Sequence, residues 1–251
     1  MHVHHHPDVR KKSFKEYLFE GIMIFIAVTL GFFAERIREG LTDHAKEKVF
    51  IQSMIEDAET DIINFDRAIE MNNKRVFKLD TIANRCFSYG NPGNNDASLY
   101  SVIKACIQHP DFVCPVERTM AQLKNAGGMR LIENKIAVDS IIFYDNMLKK
   151  VVNQQDYYEL HLKVLLDATE KMFNMTYFPL NPKTLKWESD PKAMSSAKLI
   201  TRDKTTIIEF GNKAKILQGI VMFYIVRLNE ARQHAVNLIE TLKHEYHINP
   251  Y

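Results

Sequence analysis

The sequence predicts an all-α protein in which an N-terminal transmembrane helix continues into an elongated antiparallel bundle of three long helices plus short helices. Three observations predict this class. An apolar segment follows a basic N-terminus, apolar residues recur three and four positions apart over three long stretches, and Gly and Pro number only 9 and 8 in 251 residues. Residues at those spacings share one face of a helix, and scarce Gly and Pro leave helices uninterrupted.

The apolar segment runs from Gly21 to Ala34 and extends back to Tyr17, interrupted only by Glu20. Its length of about 18 residues covers roughly 27 Å, close to the thickness of a bilayer core. Without the part before Gly21 it has about 14 residues, a length also typical of a buried soluble helix or a signal peptide. Cleavage after Ala34 would put Phe32 where the peptidase requires a small residue, so we expect the segment to be retained.

The charges that flank this segment predict its orientation. Four lysines and arginines lie within residues 10–15, whereas the basic residues after the segment alternate with glutamates. Because lysine and arginine accumulate on the cytoplasmic side of a span, we expect residues 1–16 to be a cytoplasmic tail. Residues 17–35 are then an inner-membrane anchor, and residues 36–251 form a helical bundle domain in the periplasm.

Three apolar seams follow the anchor, at residues 51–86, 137–172 and 210–242. Each predicts a helix of about 40 residues, roughly 60 Å long. Two shorter helices are predicted at 97–108, capped by Asp96, and at 116–126, and they could together supply a fourth element of the bundle. The seam residues that we expect to be buried are Ile55, Ile62, Phe65, Ile141, Leu148, Leu162, Leu217, Val221, Tyr224 and Leu228.

A loop of almost thirty residues, 176–204, separates the second and third long helices and holds the only tryptophan. Loops of that length are usually functional or lack a fixed structure. Tyr177, Phe178 and Trp187 are apolar enough either to pack on the bundle or to present a surface to a partner. The sequence leaves both alternatives open.

Composition excludes several functional classes. Lys and Arg (33) nearly balance Asp and Glu (31), and the net charge is +2. A nucleic-acid-binding protein would show a clustered excess of basic residues, so we expect no nucleic acid partner. Nucleophile-elbow, phosphate-loop and zinc-protease motifs are absent from the sequence. We therefore expect no catalytic residues, no cofactor and no enzymatic activity.

Glutamate and histidine stand four residues apart in two places, Glu230 with His234 and Glu240 with His244. That spacing builds metal sites in helical bundles when further carboxylates face the interior from other helices. The seams contain no carboxylate and these pairs lie beside the third seam, so no metal site is expected. The N-terminal histidines at 2 and 4–6 could bind a divalent metal, but a flexible terminus is the preferred interpretation.

An acidic run, Glu56, Asp57, Glu59 and Asp61, places carboxylates three and four residues apart on the first long helix. Such a run could hold a hard cation or a basic partner. We interpret it as a solvated helix face.

The three cysteines are Cys86, Cys106 and Cys114. An odd number cannot all pair within one chain. Cys106 and Cys114 are closest in sequence and could form a disulfide in an oxidising periplasm, with buried free thiols as the alternative.

Two stretches resemble a known group of proteins. In the first, residues 20–39, Glu20 precedes small residues at spaced positions and Glu35 follows the apolar span. In the second, residues 118–134, a predicted short helix is followed by Gly127-Gly128 and by a Leu-Ile-Glu-Asn sequence that leads into a long helix. Both are similar to uncharacterised single-pass membrane proteins common in Bacteroidota, and together they cover about a sixth of the chain. The resemblance implies an inner-membrane anchor and a helical extracytoplasmic domain, without an activity or catalytic residues.

The preferred function is a non-enzymatic, membrane-tethered helical module that binds a protein partner or forms a homo-oligomer. Ala27 and Gly31, four residues apart, would let another membrane helix approach closely, and Glu20 could pair with a polar group on that helix. One alternative is an extracytoplasmic ligand sensor that signals through a partner. A second is a metal-dependent enzyme built in a helical bundle.

Overall fold

The computed structural model describes residues 13–125, 127–184, 186–188 and 191–248. The N-terminal histidines and the basic residues at 10–12 lie outside the described residues. In chain order the elements are α1 (Phe14–Phe87), α2 (Asp96–Ile107), α3 (Arg118–Asn125), a 3-10 turn (Gly128–Leu131), α4 (Lys135–Met172), a second 3-10 turn (Met175–Tyr177), β1 (Leu180–Asn181), β2 (Lys186–Trp187), α5 (Pro191–Ser195) and α6 (Lys204–Glu245). The all-α class is confirmed, since the strands in the described part of the chain are one antiparallel pair of two residues each.

Helix α1 has 74 residues, and it contains both the apolar segment and the first seam. No proline interrupts it, and a chain without proline can keep every backbone hydrogen bond of a helix. Beyond its C-terminus lies Gly90, whose φ of +92° is a left-handed conformation that glycine adopts readily. The chain divides into two compact units, one ending at Phe50 and the other beginning at Ile51.

Within the second unit, α4 and α6 pack against each other in opposite directions. At one end, the Phe173 and Phe210 rings lie 5.5 Å apart between centroids. Near the other end, the Asn134 side chain, which caps α4, donates to Glu245 over 2.7 Å. The C-terminal half of α1 also runs opposite to α6, because Asp80 pairs with Lys215 (2.7 Å) and, further from its end, Asp66 pairs with Arg232 (2.6 Å).

In contrast, α1 and α4 run in the same direction. Tyr144 donates to Asp61 over 2.8 Å, and about three to four turns further along both helices, Tyr158 donates to Asn72 over 3.4 Å. The expectation of an antiparallel arrangement is therefore wrong for this pair of helices. Two consecutive long helices can be parallel only if the chain between them returns along their length.

The chain between α1 and α4 makes that return. Arg85 donates to the carbonyl of Ser98 in α2, Arg75 donates to the carbonyl of Gln108, and Arg118 at the start of α3 pairs with Asp57. This return segment, residues 96–125, consists of α2, an extended stretch at 108–117, and α3. The extended stretch shortens the second predicted short helix, which begins at Arg118 instead of residue 116.

The N-cap of α2 also differs from the prediction. Asn95, not Asp96, is the cap, and its side chain and that of Ser98 form a reciprocal capping box. Asp96 is buried and accepts hydrogen bonds from the Leu199 backbone and from Arg202. It therefore ties α2 to the chain that precedes α6.

The core follows the predicted seams. Ile55, Phe65, Ile141, Leu148, Leu162, Leu217, Val221, Tyr224 and Leu228 are buried, as expected. Ile62 is only half-buried. The large buried side chains of α2, Leu99, Tyr100 and Ile103, add to this core.

Candidate functional site

The apolar segment of α1 is exposed along its length. Phe25 and Phe32 are 72% and 73% exposed, and no residue is buried in the apolar window that is long enough to cross a membrane. The Thr29 hydroxyl donates to the carbonyl of Phe25 over 2.7 Å, so this polar group is satisfied within the helix. By length and composition this segment can serve as a membrane anchor.

Glu20, Ala27 and Gly31, the residues predicted to pack against another membrane helix, are all exposed. They lie seven and four positions apart and therefore on one side of α1. Apart from the neighbouring backbone of α1 itself, no atom lies within 4 Å of the position that a Cβ on Gly31 would occupy. This side of α1 has room for the close approach of a second helix.

A second exposed apolar surface lies on α4 and α6. Most core residues of these helices recur at alternating spacings of three and four positions. A separate group of residues on the same helices has large apolar side chains that are exposed to solvent. These side chains are between 43% and 64% exposed. The set, which we name the α4/α6 face, consists of Phe143, Tyr157, Val164, Ile216 and Phe223.

The register between the two helices brings these residues together. The Gln155 side chain donates to Tyr224 over 2.9 Å. Because the helices are antiparallel, Tyr157 lies about level with Phe223, and Val164 about level with Ile216. A groove of about 210 Å³ between the helices is lined by Val164 and Phe210, which shows that this side of α4 borders α6. Tyr157, Val164, Ile216 and Phe223 thus lie close together, and Phe143 lies about four turns from Tyr157 on the same side of α4.

The loop residues predicted to form a partner surface behave differently from one another. Phe178 is 1% exposed and stacks on Tyr100 of α2, with ring centroids 6.0 Å apart, so of the two alternatives it packs on the bundle. Tyr177 is half-buried against the edge of the same Tyr100 ring, and Trp187 is half-buried in β2. The loop packs on the bundle because Tyr100 also binds its backbone, accepting from Asn174 N over 2.7 Å.

All three cysteines are free thiols, so the Cys106–Cys114 disulfide is not formed. Cys106 is fully buried on the inner side of α2, whereas Cys114 is exposed on the extended stretch. Burial raises the pKa of both Cys86 and Cys106 to about 12, which suppresses the reactive thiolate. Cys114 is the exposed thiol among the three.

The glutamate and histidine pairs of α6 have other contacts. Glu230 pairs with Arg227 over 2.6 Å, and the His234 ring lies 4.7 Å from that of Phe143. Across the described residues, no three His, Cys, Asp or Glu side chains come together as metal ligands would.

The interpretation of the acidic run as a solvated face is wrong for two of its members. Asp57 is 4% exposed and Asp61 is fully buried. Asp57 accepts from the backbone N–H of Thr119 over 3.0 Å, and Asp61 accepts from that of Val116 over 2.9 Å. Both carboxylates hold the return segment against α1. Burial raises the pKa of Asp61 to about 6, although its two hydrogen bonds act in the opposite direction.

Uncharged side chains hold the middle of the extended stretch. Tyr224 accepts from Val113 N over 3.1 Å, Gln155 donates to Val113 O over 2.7 Å, and Asn72 donates to Asp111 O over 3.1 Å. An extended backbone inside a helical bundle needs such partners because its N–H and C=O groups form no ladder. The sequence signal was present, since Asn72 and Gln155 are polar residues on otherwise apolar seams.

Comparison of the chain with protein-family models, with curated proteins and with solved structures finds no significant match to any of them. The resemblance to single-pass membrane proteins of Bacteroidota therefore stays a prediction, and the function must be argued from the geometry.

Proposed function

We propose that this chain is a membrane-tethered helical interaction module, a subunit or accessory of a membrane complex. The observation that carries the proposal is the α4/α6 face, which exposes five large apolar side chains on a domain whose core is already formed. Large apolar side chains exposed on one side of a folded domain are typical of interaction sites.

The composition of this face suits a protein partner. Phe143, Tyr157 and Phe223 are aromatic, and aromatic side chains supply much of the binding energy at interfaces because they bury a large area at a small cost in conformational entropy. The flanking side chains are polar, as on the rim of an interface, and include Lys150 and Asp156.

The exposed apolar segment of α1 supports the tether. We propose that it is retained in the inner membrane with its N-terminus in the cytoplasm and the main domain in the periplasm, as the basic N-terminal flank favours. Glu20 is costly to leave facing lipid, and the open side at Gly31 offers a place for another helix. The anchor then packs against a partner subunit or a second copy.

Site-specific photo-crosslinking in native membranes tests the α4/α6 face. A benzophenone amino acid replaces Phe223 in one variant and Ile63 in the matched control, since both side chains are exposed on helices, at 64% and 70%. We expect one discrete crosslinked product at position 223 and none at 63. Tyr157→Lys, which changes another exposed side chain of this face, should abolish the product at position 223. Equal crosslinking at both positions would exclude this face as a docking surface.

Cysteine crosslinking tests the packing of the anchor. Cysteines at positions 27 and 31, compared with position 29 on the opposite side of the helix, are introduced into a Cys114→Ser background that removes the exposed native thiol. We expect strong crosslinking at 27 and 31 and weak crosslinking at 29, and Gly31→Leu should abolish the product at position 27. Uniform, weak crosslinking at all three positions would contradict helix packing in the membrane.

A further inference from the structure

Two adjoining grooves separate α1 from the return segment. The smaller has a volume of about 180 Å³ and the larger of about 530 Å³. Lys78 of α1 and Gln108 at the end of α2 line both grooves, so the two grooves are neighbours at that point. They are formed by α1, α2 and the start of the extended stretch, and do not involve the α4/α6 face.

Arg75 lines the smaller groove and is only 8% exposed. One of its terminal nitrogens donates to the carbonyl of Gln108 over 2.8 Å, and its guanidinium lies 5.9 Å from the centre of the Tyr158 ring. Its Nε is buried without a hydrogen-bond partner. Among the described residues, no carboxylate forms an ion pair with Arg75. A buried charge without a counter-charge is costly, which indicates that an anion belongs beside it.

Other cations line the same grooves. Lys78, Arg85 and Lys104 are all present, and the described part of the chain shows no ion pair for any of them. The acid that lines the smaller groove, Asp111, is paired with Arg67 over 3.3 Å. The grooves therefore carry an excess of positive charge, and a concave surface concentrates the resulting field on an incoming anion.

Apolar side chains lie next to these charges. Phe77 is 74% exposed and lines the larger groove together with the half-buried Val102. A ligand that fills both grooves would meet the cations of both and, in the larger one, the exposed ring of Phe77. Cations next to an apolar surface are typical of sites for small molecules that carry a charged group.

We propose that these grooves bind a phosphate-bearing small molecule, with the phosphate beside Arg75 and Lys78 and the rest of the molecule along Phe77 and Val102. Phosphate matches this set of cations because its oxygens accept the paired N–H groups of a guanidinium, and its two negative charges are balanced by a second cation. A soluble phosphate ester and a phospholipid headgroup share this chemistry.

The test titrates the full chain, in an uncharged detergent, with inorganic phosphate, pyrophosphate and short-chain phosphatidic acid in separate experiments. Calorimetry gives the affinity, and the shift of the melting temperature gives an independent measure of binding. We expect saturable binding that weakens as salt is added, because the interaction is between charges. Stronger binding of pyrophosphate indicates a soluble ester, and stronger binding of phosphatidic acid indicates a lipid.

Matched variants locate the site. The double variant Lys78→Gln, Lys104→Gln removes two groove cations and should weaken binding at least about tenfold, the effect of losing one charged hydrogen bond. Lys163→Gln, Lys183→Gln removes two exposed lysines elsewhere and should change nothing. Phe223→Lys should also leave binding intact, which separates this site from the α4/α6 face. No saturable binding of any probe, or equal weakening in both double variants, would overturn the proposal.

Discussion

Asp61 is the residue whose environment differs most from what its sequence context suggests. It lies in an acidic run, yet it is fully buried and accepts from Val116 N and from the Tyr144 hydroxyl. Its exposed neighbours Glu56 and Glu59 behave as the run predicts. Helical position explains the difference, because only the side of α1 that faces the return segment meets unpaired backbone N–H groups.

Ionisation of Asp61 should make stability depend on pH. The pKa of Asp61 is about 6 in the folded state, above its unfolded value of about 3.9, so the folded state holds the proton more tightly. The free energy of unfolding should therefore fall as pH rises from about 4 to about 6, by about 2 kcal/mol from this group. Asp61→Asn should remove that contribution, since the Tyr144 hydroxyl can rotate to accept from the new amide.

Urea denaturation of the full chain in detergent at about pH 4 and pH 7 measures this effect. Asp156→Asn, at an exposed position on α4, is the matched control and should keep the pH dependence of the wild type. If the free energy of unfolding of Asp61→Asn depends on pH as it does in the wild type, then ionisation of Asp61 does not destabilise the folded state. Asp61→Ala should destabilise the protein at both pH values by about 1–3 kcal/mol, because Val116 N–H loses its acceptor.

At the scale of elements, α4 shows that position on or off the apolar seam decides whether a side chain is buried or exposed. Leu162 is 6% exposed, whereas Leu160, two positions earlier, is 59% exposed. A shift of two positions moves a side chain to the other side of a helix. The two leucines are therefore an internal comparison of seam and surface.

Truncation to alanine should distinguish these two positions. Leu162→Ala leaves a cavity between the long helices and should cost about 2–5 kcal/mol, and Leu228→Ala on α6 should cost a similar amount. Leu160→Ala should change the free energy of unfolding by less than about 0.5 kcal/mol. Denaturant unfolding of the three variants measures these values. A cost below about 1 kcal/mol at both seam positions would mean that the core does not depend on the seam.

For the whole molecule, a native thiol allows a measurement of the compartment in which the domain beginning at Ile51 lies. An exposed native thiol, Cys114, lies in that domain, and the other two cysteines are buried. A membrane-impermeant thiol reagent can therefore report which side of the inner membrane the domain occupies, without engineered labels.

We expect the full chain to remain in the membrane fraction after alkaline extraction and to be labelled at Cys114 in intact spheroplasts. Cys114→Ser should abolish the labelling, because the buried thiols of Cys86 and Cys106 have a raised pKa and are inaccessible. Labelling that occurs only after lysis would place the domain in the cytoplasm. Recovery of the full chain in the soluble fraction without detergent or alkaline treatment would show that the apolar segment is not a membrane anchor.

Phosphate binding in the grooves of α1 and α2 would favour the alternative function, an extracytoplasmic ligand sensor.

The sequence by itself determined the helical class, the apolar N-terminal segment and most of the core. Each of these depends on local periodicity, and a step of three or four residues has one structural meaning when Gly and Pro are scarce. The long seams therefore identified Leu162, Val221 and Leu228 as buried without knowledge of their partners. The sequence could not show that Phe178 is buried, since it lies in a loop without helical periodicity.

Only the tertiary structure decided the parallel direction of α1 and α4, the extended return between them, and the roles of Asp57 and Asp61. An extended stretch inside a bundle has no periodic signature, and it is stable only because side chains distant in sequence, such as Tyr224 and Gln155, satisfy its backbone. The same return segment closes the grooves around Arg75. Local patterns specify helices, whereas the pairing of polar groups across the chain specifies how those helices are joined, because a buried polar group must find a partner wherever the fold provides one.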